Sequence, residues 1–300
     1  METLLPAAQH LAAVRELHRL LSPCRICPRR CGADRLAGKR GACGAESIVE
    51  LASATVHRGE EPPISGADGS GTLFFSHCVL RCLYCQNWPI SQQGVGRRLS
   101  IEEVAERMLA LQKSGVHNIN LVNPTHYWPQ IAAAAYLARR RGLTIPLLAN
   151  TSGYENIEIL ALLDGIVQIW LPDFKYMDRR LARRLSGRDD LPATNFRAVR
   201  YLCRKYGPLR IADNGLADGG VLIRHLVLPG QVAQSRRVLR VLTRRLGRRI
   251  PVSLMTQYFP AYKAHDDSAL CRPLNRTEKR RVWRAARRFG IRQGWRQQDG

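Results

Sequence analysis

The sequence predicts an α/β protein built on parallel strands, and three observations carry the expectation. After residue 70 a short apolar run recurs six times, each followed by polar or Gly/Pro residues and then by a segment of helical periodicity. Six such alternations imply parallel strands joined by right-handed crossovers. The unusual polar residues gather where the apolar runs end, the edge at which parallel α/β folds bind ligands. The chain's 300 residues, 45% of them hydrophobic, suit one α/β barrel with a large core. Pattern alone leaves a curved barrel and a doubly wound open sheet both in play.

Taken in order, residues 1–22 read as a short amphipathic helix, with Leu4, Leu11, Val14, Leu17 and Leu21 near helical spacing. Residues 23–47 are dense in Cys, Gly and Arg, which points to a metal-stapled loop, and Pro62, Pro63, Gly66, Gly69 and Gly71 mark a turn-rich connector. The expected division is therefore an N-terminal helix and Cys-rich metal-binding extension over 1–68, then the α/β unit with a C-terminal basic helix over 69–300. Strands are expected at 72–76, 118–122, 145–149, 166–171, 222–228 and 251–255. Helices are expected near 101–114, 129–141, 155–163, 193–206, 232–246 and 277–289. The first of these has its own start signal: Ser100 and Glu103 form a capping box, Ile101, Val104, Met108 and Leu111 mark one apolar face, and Gly115 stops it.

Composition narrows the class. The apolar content excludes a disordered chain. The longest run of small apolar residues, 131–138, is too short to cross a bilayer. His10, Arg15, Glu16 and His18 interrupt the N-terminus, which lacks the apolar core of a signal peptide, so a cytoplasmic protein without a membrane partner is expected. A formal charge of +23 invites a nucleic-acid role. Only six of the 47 basic residues are Lys, however, a skew that a GC-rich coding sequence produces by itself, and the Arg residues are spread along the chain. Nucleic acid is not favoured as a partner. Seven of the nine cysteines fall within the first 85 residues in two clusters, an arrangement that argues for metal or redox chemistry over disulfides. Cys203 and Cys271 stand alone and read as small buried hydrophobes.

The sharpest signal is Cys78-Val-Leu-Arg-Cys82-Leu-Tyr-Cys85, directly after a strand candidate. Three thiolates on one tight loop can hold three irons of a cubane cluster and leave the fourth open for a ligand. A closed zinc site needs four ligands, and His77 could be the fourth only by awkward adjacency to Cys78. This Cys-x3-Cys-x2-Cys spacing, with Tyr84 before the last Cys, resembles the radical SAM superfamily. Five further stretches, Gly71-Thr-Leu-Phe-Phe-Ser-His-Cys78, Cys85-Gln-Asn-Trp, Asn150-Thr-Ser-Gly-Tyr154, Leu171-Pro-Asp-Phe-Lys175 and Ile223-Arg-His-Leu-Val-Leu-Pro-Gly230, resemble its pyruvate formate-lyase activating-enzyme branch and uncharacterised relatives of that branch. The resemblance covers roughly residues 24–260.

The resemblance implies a partial (β/α)6 TIM-like barrel with a [4Fe–4S] cluster at the top of the first strand and S-adenosylmethionine across the strand ends. It further implies reductive cleavage to a 5′-deoxyadenosyl radical, activation of a glycyl radical protein as substrate, and an electron donor such as a flavodoxin or ferredoxin. Tyr84 would lie beside the adenine. Asn150, Thr151 and Ser152 are suited to hydrogen-bond ribose or the amino-acid moiety. Asn123 and His126 stand where the family commonly carries Gly-Gly-Glu, a motif this chain lacks. Asp173 and Lys175 share a face and would approach cofactor or substrate, while Arg224 and His225 alternate, so only one points inward.

A second cluster, Cys24, Cys27, Cys31 and Cys43, is suited to a zinc ion or an auxiliary iron–sulfur cluster. From 276 to 296 the chain carries Arg280, Arg284, Arg287 and Arg288 along one helical face, expected to be a solvated basic helix over the barrel. Two rival functions stand beside the activase: a radical SAM enzyme acting on RNA or a small metabolite, and a non-catalytic zinc and nucleic-acid-binding module.

Overall fold

In a computed structural model that describes residues 5–249, 251–291 and 294–295, every expected strand and helix forms. The chain opens with α1 (Ala7–Arg19) and a loop without regular structure over 20–48, then enters β1 (Val49–His57), the one-turn α2 (Pro62–Ser65) and β2 (Ser70–Phe75). After the cysteine loop come α3 (Trp88–Ser91), β3 (Arg97–Leu99), α4 (Ile101–Lys113), β4 (Ile119–Val122), α5 (Trp128–Arg140), β5 (Leu147–Thr151), α6 (Ile157–Leu162) and β6 (Ile169–Pro172). The last third holds α7 (Arg179–Ser186), α8 (Leu191–Tyr206), β7 (Arg210–Ile211), β8 (Ala217–Val221), β9 (Ile223–Leu226), α9 (Val232–Arg245), β10 (Val252–Met255) and α10 (Arg276–Arg288).

β2, β4, β5, β6 and β8 pair in parallel in that order, and β8 runs on through Leu222 into β9, which pairs in parallel with β10. The result is six parallel staves, the partial (β/α)6 barrel. β1 adds to β2 antiparallel, β3 to β1, and β7 to β8, so residues ahead of 69 belong to the same sheet as the barrel. Leu148, Ile169, Leu171 and Leu222 fill the interior, alternating with residues that face the helices, as the two-residue period of a strand requires.

Local signals work as expected where they are strong. The Ser100 hydroxyl accepts from the Glu103 amide at 3.1 Å, and the Glu103 carboxylate accepts from the Ser100 amide at 2.7 Å, closing the capping box of α4. α10 begins with a second box, Asn275 with Glu278, and packs Val282, Ala285 and Ala286 inward while its arginines face solvent; the end of the basic stretch at Arg296 lies outside the described residues, as does Leu4 of the first helix. Cys271 corrects one expectation: it is exposed, not a buried hydrophobe. Among the described residues no helix is long and apolar enough to cross a membrane.

Beneath the barrel, α2 acts as a plug. Ile64 joins the interior leucines, and the Asn118 amide donates to the Ile64 carbonyl at 2.8 Å. Just ahead of it, Glu60 and Glu61 reach into the barrel to Arg224, whose Nε donates to Glu61 at 3.1 Å and whose Nη2 donates to both carboxylates. Burial alone would raise the Glu61 carboxyl, but the guanidinium outweighs it and the net shift is downward.

Candidate active site

β2 delivers the cysteines to the carboxyl edge of the sheet. Its exit is fixed by groups from neighbouring staves: His126 Nε2 meets the Ser76 carbonyl at 2.7 Å, and the Asn123 amide donates to the His77 carbonyl. His77 has a left-handed backbone (φ 68°) and hydrogen-bonds Glu50 at 2.8 Å. Its ring lies so close to Gly44 that a β-carbon there would stand 2.8 Å from Nδ1, so only glycine fits. His77 is thereby held away from the role of a fourth metal ligand.

The loop that follows is braced at both sides. Arg29 Nε donates to the Val79 carbonyl at 2.6 Å, the Arg81 amide to the Ser186 carbonyl at 3.2 Å, and the Leu83 amide to the Leu185 carbonyl at 2.9 Å. Each of the three sulfurs meets one polar neighbour: Cys78 the Leu80 amide at 3.4 Å, Cys82 the Ser186 hydroxyl at 3.0 Å, and Cys85 the Ser91 hydroxyl at 3.1 Å. Burial, reinforced by mutual repulsion of the thiolates, pushes the Cys78 thiol up to about 12; burial likewise pushes the Cys82 thiol up to about 11. Cys78 and Cys82 are thereby held as thiols, and metal binding would release their protons.

Around this loop stand the other strand-end residues. Tyr84 is buried, with its hydroxyl 2.5 Å from that of Tyr176 and its ring edge-on to Tyr258 at 6.3 Å. Lys175 Nζ donates to Asp173 at 2.5 Å. Burial opposes the lysine's charge, but Asp173 and then Cys82 outweigh it, so its pKa is raised and it stays an ammonium beside the cysteine loop. Asn150 follows Leu148 on the inward face of β5 and is partly exposed, whereas Thr151 turns its hydroxyl back to the Gly153 amide at 3.1 Å. The Ser152 hydroxyl is buried without a hydrogen-bond partner. Gly153 (φ 69°) lets Asn195 donate to both the Gly153 and Asp173 carbonyls, at 3.1 and 2.8 Å, tying the ends of β5 and β6 together.

Three expected residues are turned to other uses. His126 is 1% exposed, braces Ser76, and is pushed down to about 3 by burial, so it is a neutral structural ring. Of the alternating pair, Arg224 is the inward one, but Glu60 and Glu61 engage it at the barrel floor. His225 faces outward, with its ring nitrogens against the Phe174 carbonyl at 2.7 Å and the Ser235 hydroxyl of α9 at 2.9 Å. Sequence reading missed Ser91, Ser186 and Tyr176. Ser91 lies six residues after Cys85 and was within reach of inspection; Ser186 lies 104 residues from Cys82 and only the fold joins them.

The second cysteine group packs directly on the first loop. Arg81 Nη2 donates to the Ala42 carbonyl at 3.2 Å, and Arg35, fully buried, donates to the His126 carbonyl at 2.7 Å and stacks over Tyr127. Cys24, Cys27 and Cys43 are buried and Cys31 is exposed. The Cys24 and Cys31 thiols lie close enough to influence each other, and the Cys43 and Cys31 sulfurs lie 3.3 and 3.5 Å from where a β-carbon on Gly41 would be. Among the described residues no group of three or more His, Cys, Asp or Glu side chains already stands in the geometry of a metal-ion site.

A partial barrel with three cysteines at the end of its first parallel strand defines a class of enzyme, and comparison with known proteins names it. The radical SAM superfamily profile matches residues 72–240. This chain belongs to the radical SAM superfamily, with the S-adenosylmethionine-dependent radical chemistry and [4Fe–4S] cluster that membership implies. It is 27% identical over 279 residues to an uncharacterised protein of Methanocaldococcus jannaschii, covering 89% of this chain and 75% of that one. A second uncharacterised protein of that organism is 27% identical over 157 residues, covering 47% of this chain and 46% of the other. Among solved structures, SuiB of Streptococcus suis bound to S-adenosylmethionine aligns with a TM-score of 0.50 and 12% identity over 74% of this chain and 48% of that one. The FeFe-hydrogenase maturase HydG of Carboxydothermus hydrogenoformans aligns with 0.50 and 14% over 73% of this chain and 50% of that one. The chain thus spans about half the length of these two structures, and the likeness is one of fold.

Proposed function

We propose that this protein is a glycyl-radical-activating radical SAM enzyme in which Cys78, Cys82 and Cys85 hold three irons of the cluster and leave the fourth open to S-adenosylmethionine. The observation that carries it is a braced three-thiol loop at the carboxyl end of β2, facing strand ends that offer an unsatisfied Ser152 hydroxyl and a Lys175 ammonium. When bound, the cluster and S-adenosylmethionine would together supply reductive cleavage chemistry, one electron breaking the sulfonium bond to give the radical that abstracts a substrate hydrogen atom.

The chain's residues do the holding. Lys175, paired with Asp173, offers a cation for the cofactor's carboxylate; Asn150 and Ser152 offer hydrogen bonds to its ribose or amino-acid moiety; Thr151 and Asn123 keep the strand ends in place. Tyr84 presents a buried aromatic wall beside the adenine. The substrate is a glycine-bearing loop of a partner protein, a choice supported by the five ordered sequence segments named above. The electron donor is an acidic flavodoxin or ferredoxin, for which Arg180, Arg184 and Arg237 line a groove between α7 and the start of α9. Cys24, Cys27, Cys31 and Cys43 take zinc, with Cys31 drawn inward to complete four thiolates. The reducing cytoplasm suits both thiol sets.

Anaerobic reconstitution followed by reductant and S-adenosylmethionine tests the chemistry: 5′-deoxyadenosine is expected, and zinc in the 78–85 loop with the cofactor intact overturns it. Glycyl radical proteins deuterated at glycine test the substrate. Deuterium in 5′-deoxyadenosine is expected, and cleavage without transfer from any of them removes the activase assignment alone.

A further inference from the structure

Three hydroxyl side chains form a chain that ends on a cluster cysteine. The Tyr84 and Tyr176 hydroxyls are 2.5 Å apart, Tyr176 and Ser186 hydroxyls 3.0 Å, and the Ser186 hydroxyl and Cys82 sulfur 3.0 Å. All are buried: Ser186 is 0% exposed, Tyr176 1% and Tyr84 5%. A cysteine bound to iron is a thiolate, with no proton to give, so Cys82 can only accept. That fixes every bond upstream: Ser186 donates to sulfur, Tyr176 to Ser186, and Tyr84 to Tyr176. The same logic applies on the other side of the loop. Gln92 Nε2 donates to the Ser91 hydroxyl at 3.0 Å, which leaves the Ser91 proton free for the Cys85 sulfur 3.1 Å away. Cys78 takes the Leu80 amide.

We propose that Ser186 and Ser91, with Tyr176 and Tyr84 behind Ser186, are positioning residues that raise the reduction potential of the cluster by hydrogen-bonding its cysteine sulfurs. The inference rests on Cys78, Cys82 and Cys85 holding the cluster. A reduced cluster carries one more negative charge, and a donor aimed at a ligand sulfur stabilises that charge more than it stabilises the oxidised state. In a buried site such bonds are strong, and a chain of them polarises its last member further. The effect is graded: loss of Ser186 removes a direct donor, Tyr176→Phe removes the group that polarises it, and Tyr84→Phe acts one step further out.

The test uses the full chain, reconstituted anaerobically and titrated with dithionite without S-adenosylmethionine, the reduced cluster being read by electron paramagnetic resonance. Ser186→Ala and Ser91→Ala are each expected to lower the ratio of reduced to oxidised cluster at a fixed poise by about tenfold, which is about 59 mV for one electron. Tyr176→Phe shifts it the same way by less, Tyr84→Phe by less again, and Ser186→Thr, which keeps the hydroxyl, restores most of the loss. Unchanged potentials at full iron loading in Ser186→Ala and Ser91→Ala overturn the proposal. So does a Tyr84→Phe shift larger than that of Tyr176→Phe, a variant that leaves every thiol contact in place and reads the relay even where Ser186→Ala fails to fold. Failure of the wild-type protein to take up iron overturns the cluster assignment itself, a result separable from the others by metal analysis before any titration.

Discussion

The loops 78–85 and 24–43 carry three and four cysteines, touch one another, and are supported in different ways. In the first, a parallel strand delivers the cysteines to the mouth of the barrel, and each sulfur meets a single hydrogen-bonding neighbour. In the second no strand delivers the thiols. The Cys24 and Cys31 thiols lie close enough to influence each other, and burial pushes Cys27 up to about 12, with repulsion from Cys43 and Cys24 adding to it. Donors around a sulfur stabilise added negative charge; in the first loop two of them are serine hydroxyls brought from outside the loop, Ser186 and Ser91, whereas in the second burial is the largest influence on Cys27. What differs is delivery: a strand and two serines position the first set of thiols, a loop the second.

The largest effect expected is all-or-none. Replacing Cys78, Cys82 and Cys85 together by Ala abolishes iron uptake while zinc stays bound; replacing Cys24, Cys27, Cys31 and Cys43 together leaves the iron and removes the zinc. Metal analysis of the two variants breaks the comparison if either loses both. Next is Arg35→Met. It strips donors from the His126 and Glu46 carbonyls beneath the second loop, an unfolding cost of about 3 kcal/mol, visible in a denaturant melt, with iron loading of the first loop kept.

Glu155 lies near the second loop, accepting from Thr125 and, at 3.1 Å, from Trp128, and its charge adds to the repulsion felt by Cys27. Burial pushes its carboxyl from 4.5 to about 7, with the two hydrogen bonds offsetting only part of that. Because the folded pKa is the higher one, the stability this group contributes is full below about pH 4.5 and is lost as pH rises toward 7. The loss amounts to about 3 kcal/mol by pH 8. Glu155→Gln, which mimics the protonated acid, is expected to remove that pH dependence in thermal melts at pH 5 and pH 8; equal slopes for both proteins would contradict it. The smallest effect sought is in binding: Asn150→Ala with Ser152→Ala weakens S-adenosylmethionine by about tenfold, on the order of one hydrogen bond, and leaves iron content unchanged. Unaltered affinity removes both residues from the site.

The six staves and their helices were legible because each is a run whose period matches its burial, and Ser100 and Glu103 announced the start of α4. β1 was not, since only its first residues are buried and the rest, Ser53 to Thr55 among them, face solvent. α7 was missed for the same physical reason: Arg179-Arg-Leu-Ala-Arg-Arg-Leu-Ser186 buries only Ala182, Leu185 and Ser186. The cysteines were legible as a local spacing. Their partners were not, because the Ser186 contact depends on where α7 ends and the Arg224 contact on which face of β9 looks inward. Alternation showed that Arg224 and His225 must part; it did not say that two acids from the far side of the chain were waiting for the arginine.

Those two acids bear on how the chain can be divided. A fragment starting at Gly69 would keep every stave of the barrel yet lose Ile64, the bung in its base, and strand Arg224 as a naked cation in an oily bore. Water would enter from below, on the side opposite the cysteines, and weaken every buried electrostatic contact inside the bore. The first 68 residues are therefore expected to be needed for a sealed reaction chamber as much as for any metal they hold.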